Sequence, residues 1–429
     1  MSRYCLPLWA WCGVYAIGGV PIADAEAKPL YTITKVVPIG TPDRWDLLTF
    51  DAASHRVYIA HGDRVTVVDG EAGALIGNVE GYSGGTHGIA IVPGSGRGYT
   101  DDGRAGVAGS FDLKTLKPIA SINAGSDADA VIFDPASGHV FVVNSDPGTI
   151  TVIDPRTDTA VATIDGGGKL EIGAADGTGK IYVNGEAKQE VVRVDTRTNK
   201  IDARWAIPSC TSPHGLAVDA KSRRVFASCE NQIMVVIDAD SGKLIASLPI
   251  GARTDGAAFD PGTRRAFSSN GDGTLTVISE KGPNSFVSLG SVPTMLGART
   301  MTLDPKTGRL YLVAADITIN ESVDPQDLRH RFAVTPGSVK LLILDPKTTP
   351  GYTGQELAKE AAITMERASA LATRARPGEI THRELEREAG GSGLRYSFDI
   401  RSDGVAHEVG VDAKTGEILE DSDEGKYSD

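Results

Sequence analysis

The sequence predicts an all-β, seven-bladed β-propeller with four-stranded antiparallel blades, followed by a small α+β domain. Three observations carry that expectation. A unit of apolar strand, Asp/Pro/Gly turn and second strand recurs seven times. Gly is abundant (50 of 429 residues) and aromatics are scarce (6%), which suits short strands and tight turns better than a helical bundle. Beyond Thr353 the composition shifts abruptly to Ala, Glu and Arg.

The repeat begins with "WDLLTFDAASHRVYIAH" (45–61) and includes "ADAVIFDPASGHVFVVN" (128–144), "PHGLAVDAKSRRVFASC" (213–229) and "ARTMTLDPKTGRLYLVA" (298–314). Anchored on the turn Asp, equivalent positions fall at 51, 92, 134, 175, 219, 260 and 304, spaced 41 to 44 residues apart. A third strand such as "GTITVIDPRT" (148–157) and a fourth such as "KLIASLPIG" (243–251) complete each unit. Four strands in about 40 residues, repeated, is a propeller blade, and radial closure removes the exposed edges that separate sheets would carry. The last copy has a third strand, "SVKLLILDP" (338–346), but no fourth, while "YTITKVVPIG" (31–40) stands alone ahead of the first. Residues 31–39 are therefore expected to close the seventh blade, so that Asp at Val36 or Ile33 would destabilise the ring. The propeller spans 28–350.

Residues 1–27 read as a cleaved signal peptide: Arg3, then "YCLPLWAWCGVYAIGGVPIA", then small residues at 23–27. This places the mature protein in the periplasm or outside the cell, with no retained membrane span. Cleavage removes Cys5 and Cys12 and leaves Cys210 and Cys229, which in an exported chain are expected to pair as a disulfide; a catalytic thiol and a metal ligand are the alternatives. The net charge of −13 argues against nucleic acid as the main partner, because phosphate binding rests on clustered Lys and Arg.

Residues 353–429 form the second domain. "GQELAKEAAITMERASALATRA" has helical charge spacing, and "THRELEREAGG" places Thr381 and Glu384 as a capping box ahead of a glycine stop. "LRYSFDIRSDG" and "VAHEVGVDAKTGEILED" follow as an antiparallel hairpin.

The repeat also selects residues that share a location. Five positions before each anchor stand Asp46, His87, Asp129, Leu170 (with Glu171 beside it), His214, Asp255 and Arg299. The ends of the second strands add His61, Asp102, Asn144, Asn184, Cys229 and Asn270. Together they predict a polar ring at one mouth of the central channel, a rim that takes a protein or a small ligand. Carboxylates and neutral imidazoles also suit a divalent metal, the one cofactor such a ring would take. No H-E-x-x-H, C-x-x-C or G-x-S-x-G motif occurs, so no catalytic residue and no metal ligand is assigned. The long connection 315–337, with Arg329, His330 and Arg331, emerges on the same face and reads as a solvated loop or a partner for the acidic rim.

Carried by "DPASGHVFVVNSDPGTITVIDPRT", "PHGLAVD" and "GARTMTLDPKTGRLYL", the stretch from 31 to about 346 resembles the YncE-like, YVTN-type propellers, relatives of WD40-like and quinoprotein amine dehydrogenase-like rings. The hairpin ending in "VDAKTGEIL" resembles a PepSY domain over roughly 354–421. The first resemblance implies a fold more than an activity. Between them they imply an exported, non-enzymatic binding platform whose tail contacts a peptidase or the propeller itself. The alternative is a metal-dependent lactonase- or lyase-like enzyme acting at the channel mouth.

Overall fold

Among the described residues up to 346, runs of β-branched and aromatic residues alternate with turn residues and form the strands. The computed structural model describes residues 30–324, 331–347, 352–402 and 404–423. The signal-peptide reading and the Arg329–His330 pair lie outside them. Two units are present, Met1–Pro346 and Lys347–Asp429.

In the first unit the described residues form seven four-stranded sheets. Blade three is representative: Ala128–Asp134, His139–Asn144, Thr149–Asp154 and Thr159–Asp165, paired antiparallel in that order from the channel outward. Each second strand carries an aromatic residue near its start (Tyr58, Tyr99, Phe141, Tyr182, Phe226, Phe267 and Tyr311), and every one is at most 1% exposed. These rings sit between neighbouring sheets. Phe141, Val143 and Val152 of blade three, for instance, share a core with Ile181, Val183 and Val192 of blade four. Burial of such a side chain contributes about 1.5–3 kcal/mol, so the ring is held by sheet-on-sheet packing.

Three of the tyrosines also clip one blade to the next. Tyr182 donates to the Ala239 carbonyl at 3.2 Å and Tyr311 to the Gly70 carbonyl at 3.1 Å, while Tyr99 hydrogen-bonds Asp158. Each acceptor lies at the turn joining the third and fourth strands of the following blade.

The seventh sheet runs Tyr31–Pro38, Lys340–Pro346, Leu310–Ala314, Met301–Leu303, with Tyr31 opposite Pro346 and Pro38 opposite Lys340. The N-terminal strand therefore supplies the outer strand of the last blade. The side-chain expectation needs correction in one respect. Val36 faces solvent at 48% exposed, whereas Tyr31 (1%) and Val37 (6%) are buried. A register shift between Ile33 and Lys35 resets the alternation, so Val37, and not Val36, enters the core.

The disulfide Cys210–Cys229 is present, its Cα atoms 5.3 Å apart. It ties the loop entering blade five to the end of that blade's second strand.

The second unit differs from the helix-plus-hairpin expectation. A 3₁₀ turn, Gln355–Glu360, precedes a helix, Met365–Ala375, whose Thr364 cap accepts from the Arg367 N–H at 3.3 Å. Residues Glu379–Glu386, expected to be helical, are a strand pairing with Arg395–Ser402. Arg, Glu and Leu favour helices locally, but pairing at the sheet edge and burial of Leu385 against Tyr396 and Phe398 outweigh that small preference. Val405–Asp412 and Ile418–Asp423 complete a four-stranded sheet. The helix packs Met365, Ala368 and Ala372 on it. Among the described residues no helix is long and apolar enough to cross a membrane.

Candidate functional site: the channel mouth

The innermost strand of each blade starts at the same end of the channel, so its first inward-facing residue is repeated around the ring. Asp46, Asp129, Glu171, His214, Asp255 and Arg299 line a cavity of about 160 Å³ at that mouth, with Leu47 and Ile172 beneath them. His87 occupies the blade-two position. In blade four the lining residue is Glu171, because Leu170 is turned into the core at 1% exposed.

The charges are unevenly matched. Arg299 Nε lies 3.1 Å from Asp255, and His214 Nδ1 stands 3.7 Å from both Asp255 and Glu171. Lys169 Nζ reaches Glu171 at 3.3 Å and Glu186 at 2.5 Å. The carboxylates of Asp46 and Asp129 make no hydrogen bond and no ion pair among the described residues. Burial first, then the nearby Asp255, pushes Asp46 up to about 7. Burial, Asp46 and Glu171 likewise hold Asp129 well above the usual carboxylate range. Burial lowers His214, but Glu171 and Asp255 outweigh it and leave the imidazole raised.

His87 has a partner that sequence reading missed. The fully buried Asp101 accepts from His87 Nδ1 at 2.7 Å and from the backbone N–H groups of His87 and Gly88 at 2.9 and 2.7 Å. Burial lowers His87, yet the Asp101 bond and charge, aided by Asp46 and Asp129, carry it up to about 9. The exposed Arg44 reaches within 2.7 Å of Nε2. An Arg N–H donates there only when Nε2 carries no proton.

Asp101 is the fifth residue of its second strand, one before the position singled out by the repeat. That fifth position recurs as a brace behind the mouth. Asn184 Nδ2 donates to the carbonyls of His214 (2.8 Å) and Gly215 (3.2 Å), and Ser269 Oγ donates to that of Arg299 at 2.5 Å. The readable signal was a polar residue where Val143 and Val313 stand in other blades.

The sixth positions are not mouth residues. His61, Asn144 and Asn270 are each 0% exposed. Asn144 donates to Thr149 and Thr151, Asn270 to Thr274 and Thr276, and His61 Nδ1 lies 2.8 Å from Thr66. They stitch the second strand to the third and lie behind the cavity. Among the described residues no three His, Cys, Asp or Glu side chains converge in a way that could hold a metal ion.

Below the charged collar the channel becomes apolar. A cavity of about 380 Å³ is lined by Leu47, Ile89, Ile132, Ile172, Leu216 and Met301, among others. It shares Leu47 and Ile172 with the mouth. Beside the mouth, the 315–337 connection forms a hairpin of Ile317–Ile319 with Phe332–Val334, and the Arg253 guanidinium stacks over Phe332 at 4.5 Å. Arg331 is turned back onto the Val323 carbonyl at 3.0 Å.

Residues 362–421 match the PepSY family, described as "Peptidase propeptide and YPEB domain". Over 205 residues the chain is 24% identical to "Uncharacterized protein YncE" of Salmonella typhimurium, a match covering 46% of this chain and 58% of that protein. The chain thus spans less than two thirds of that relative's length. Among solved structures, a chain of the mitotic checkpoint complex superposes with TM-score 0.60 at 12% identity, covering 79% of this chain and 98% of the other. A chain of Kuenenia stuttgartiensis hydrazine synthase gives 0.54 at 15%, covering 69% and 96%. At such identities the likeness is one of fold alone. Taken together the matches fit a YncE-like propeller carrying a C-terminal PepSY domain.

Proposed function

We propose that this protein is an exported, non-enzymatic binding propeller that takes a ligand into the charged mouth of its central channel, and that its PepSY domain engages a protein partner, a peptidase being the class the family's description suggests. The observation that carries the reading is the mouth itself. Six blades each contribute one polar side chain to a single opening, and two of its carboxylates make no hydrogen bond or ion pair among the described residues. Concave openings with a few convergent polar groups are where ligands bind, and unpaired buried charges are retained at a cost that function explains. The buried disulfide supports residence in an oxidising compartment.

A thermal-shift screen of the full chain against amines, carboxylates, sugars, peptides and divalent ions tests the reading. Expected is a stabilising class whose effect disappears in an Asp129→Asn, Glu171→Gln variant that melts no lower than the parent. Hits retained undiminished by that variant would overturn it. Turnover of a lactone dependent on His87 and His214 would favour the hydrolase alternative instead.

A further inference from the structure

We propose that the mouth and the chamber below it form one amphiphilic site for an organic ammonium, a small molecule with one cationic head and an apolar tail. The inference deepens the mouth-binding reading and rests on it.

Two independent observations meet here. The first is charge without a partner. Four carboxylates (Asp46, Asp129, Glu171 and Asp255) line the mouth with one guanidinium, Arg299, and one imidazole, His214. Lys169 and His214 take up Glu171, and Arg299 takes up Asp255. Asp46 and Asp129 line the same cavity and make no hydrogen bond or ion pair among the described residues. Such a pair attracts a cation and repels an anion. The second observation concerns what lies beyond. A ligand passing the collar meets Leu47 and Ile172 first and then a 380 Å³ chamber walled by Ile89, Ile132, Leu216 and Met301. A bare metal ion has no use for that chamber, and an apolar chain gains free energy with every methylene placed there. A head of one positive charge satisfies the collar, and an alkyl or arylalkyl tail fills the chamber.

The braces behind the ring fit a preorganised site. Asn184, Ser269 and Asp101 fix the backbone of His214, Arg299 and His87, so binding does not have to order the collar.

The test is calorimetric titration of the full chain with four probes: n-hexylammonium, 1-hexanol, hexanoate and methylammonium. Hexylammonium is expected to bind at least about tenfold more tightly than hexanol or hexanoate, because the head must pair with buried carboxylate. It should also exceed methylammonium by at least about tenfold, because the tail is buried. Asp46→Asn and Asp129→Asn should each weaken hexylammonium by about tenfold or more while leaving hexanol unchanged. Thermal melts of both variants guard against misfolding. If hexanol or hexanoate binds as well as hexylammonium and the mouth variants abolish that binding, the cation inference falls while the mouth remains a ligand site. If none of the four binds, the inference is overturned, and the broader chemical screen decides the mouth reading separately.

Discussion

The Tyr311 hydroxyl donates to the Gly70 carbonyl across 241 residues of sequence, at 3.1 Å. It joins the last blade to the first with the same bond that Tyr182 makes between blades four and five. Among the devices that hold the ring junction are this inter-blade bond, doubled by Arg309 donating to the same carbonyl at 3.0 Å, and the N-terminal strand.

The two devices should differ in cost. Tyr311→Phe removes one bond while the Arg309 guanidinium still donates to the Gly70 carbonyl at 3.0 Å, for a loss of about 1 kcal/mol or less. Val37→Asp places a carboxylate in the core between blades and should cost several times that, about 3 kcal/mol or more. Val36→Asp, on the exposed side of the same strand, should be near neutral. Circular dichroism melts of the three variants check the order.

Reducing the Cys210–Cys229 disulfide, or replacing both residues with Ser, should lower stability by about 3 kcal/mol, since the bridge closes a loop of 19 residues. Urea unfolding with and without reductant measures it, and non-reducing mass spectrometry should show Cys210 and Cys229 joined.

Asp46 makes the fold sensitive to pH. Its folded pKa of about 7 lies above the ordinary value of 3.8, so the folded state holds the proton more tightly than the unfolded chain. That contribution is complete below about pH 4 and is lost as pH rises through about 7. Asp46→Asn should thus stabilise the protein at pH 8, on the order of 1–2 kcal/mol after allowance for channel water, with the gain vanishing near pH 4. Tm measured across pH 4–9 for parent and variant decides it.

His87 is raised because Asp101 outweighs its burial. Its stabilising contribution is present below pH 6.5 and is lost as pH rises through about 9. In Asp101→Asn the largest raising cause is gone while burial remains, opposed now only by Asp46 and Asp129, so the imidazole should titrate well below about 9. An NMR titration of the His87 ring reads this directly, and an unchanged pKa would remove Asp101 as the cause.

The blades were legible because their signal is periodic: the same apolar, turn and aromatic positions return at a fixed interval, and errors in one copy are corrected by the others. The mouth residues inherited that clarity, since Asp46, Asp129 and Asp255 occupy one position of the repeat. What failed was phase at the single-residue level. His61, Asn144 and Asn270 share the end of the strand with the mouth, but successive strand residues point to opposite faces, so the neighbouring position held the brace. Asp101 was passed over for Asp102 for that reason. Val36 and Val37 exchanged places through one register shift. In the second unit there was no repeat to average over, and the helix-favouring residues of 379–386 outvoted a pairing visible only in three dimensions.

The strand Tyr31–Pro38 has a kinetic consequence. It is the first strand described along the chain, and its partner, Lys340–Pro346, is the last of the propeller. Until that partner has been delivered, the leading strand has no edge to join and blade seven lacks its two outer strands. Completion must wait for contacts about 300 residues apart, which makes the final step slow and all-or-none. Until residue 346 has been synthesised the ring cannot be completed, whatever the earlier blades have formed.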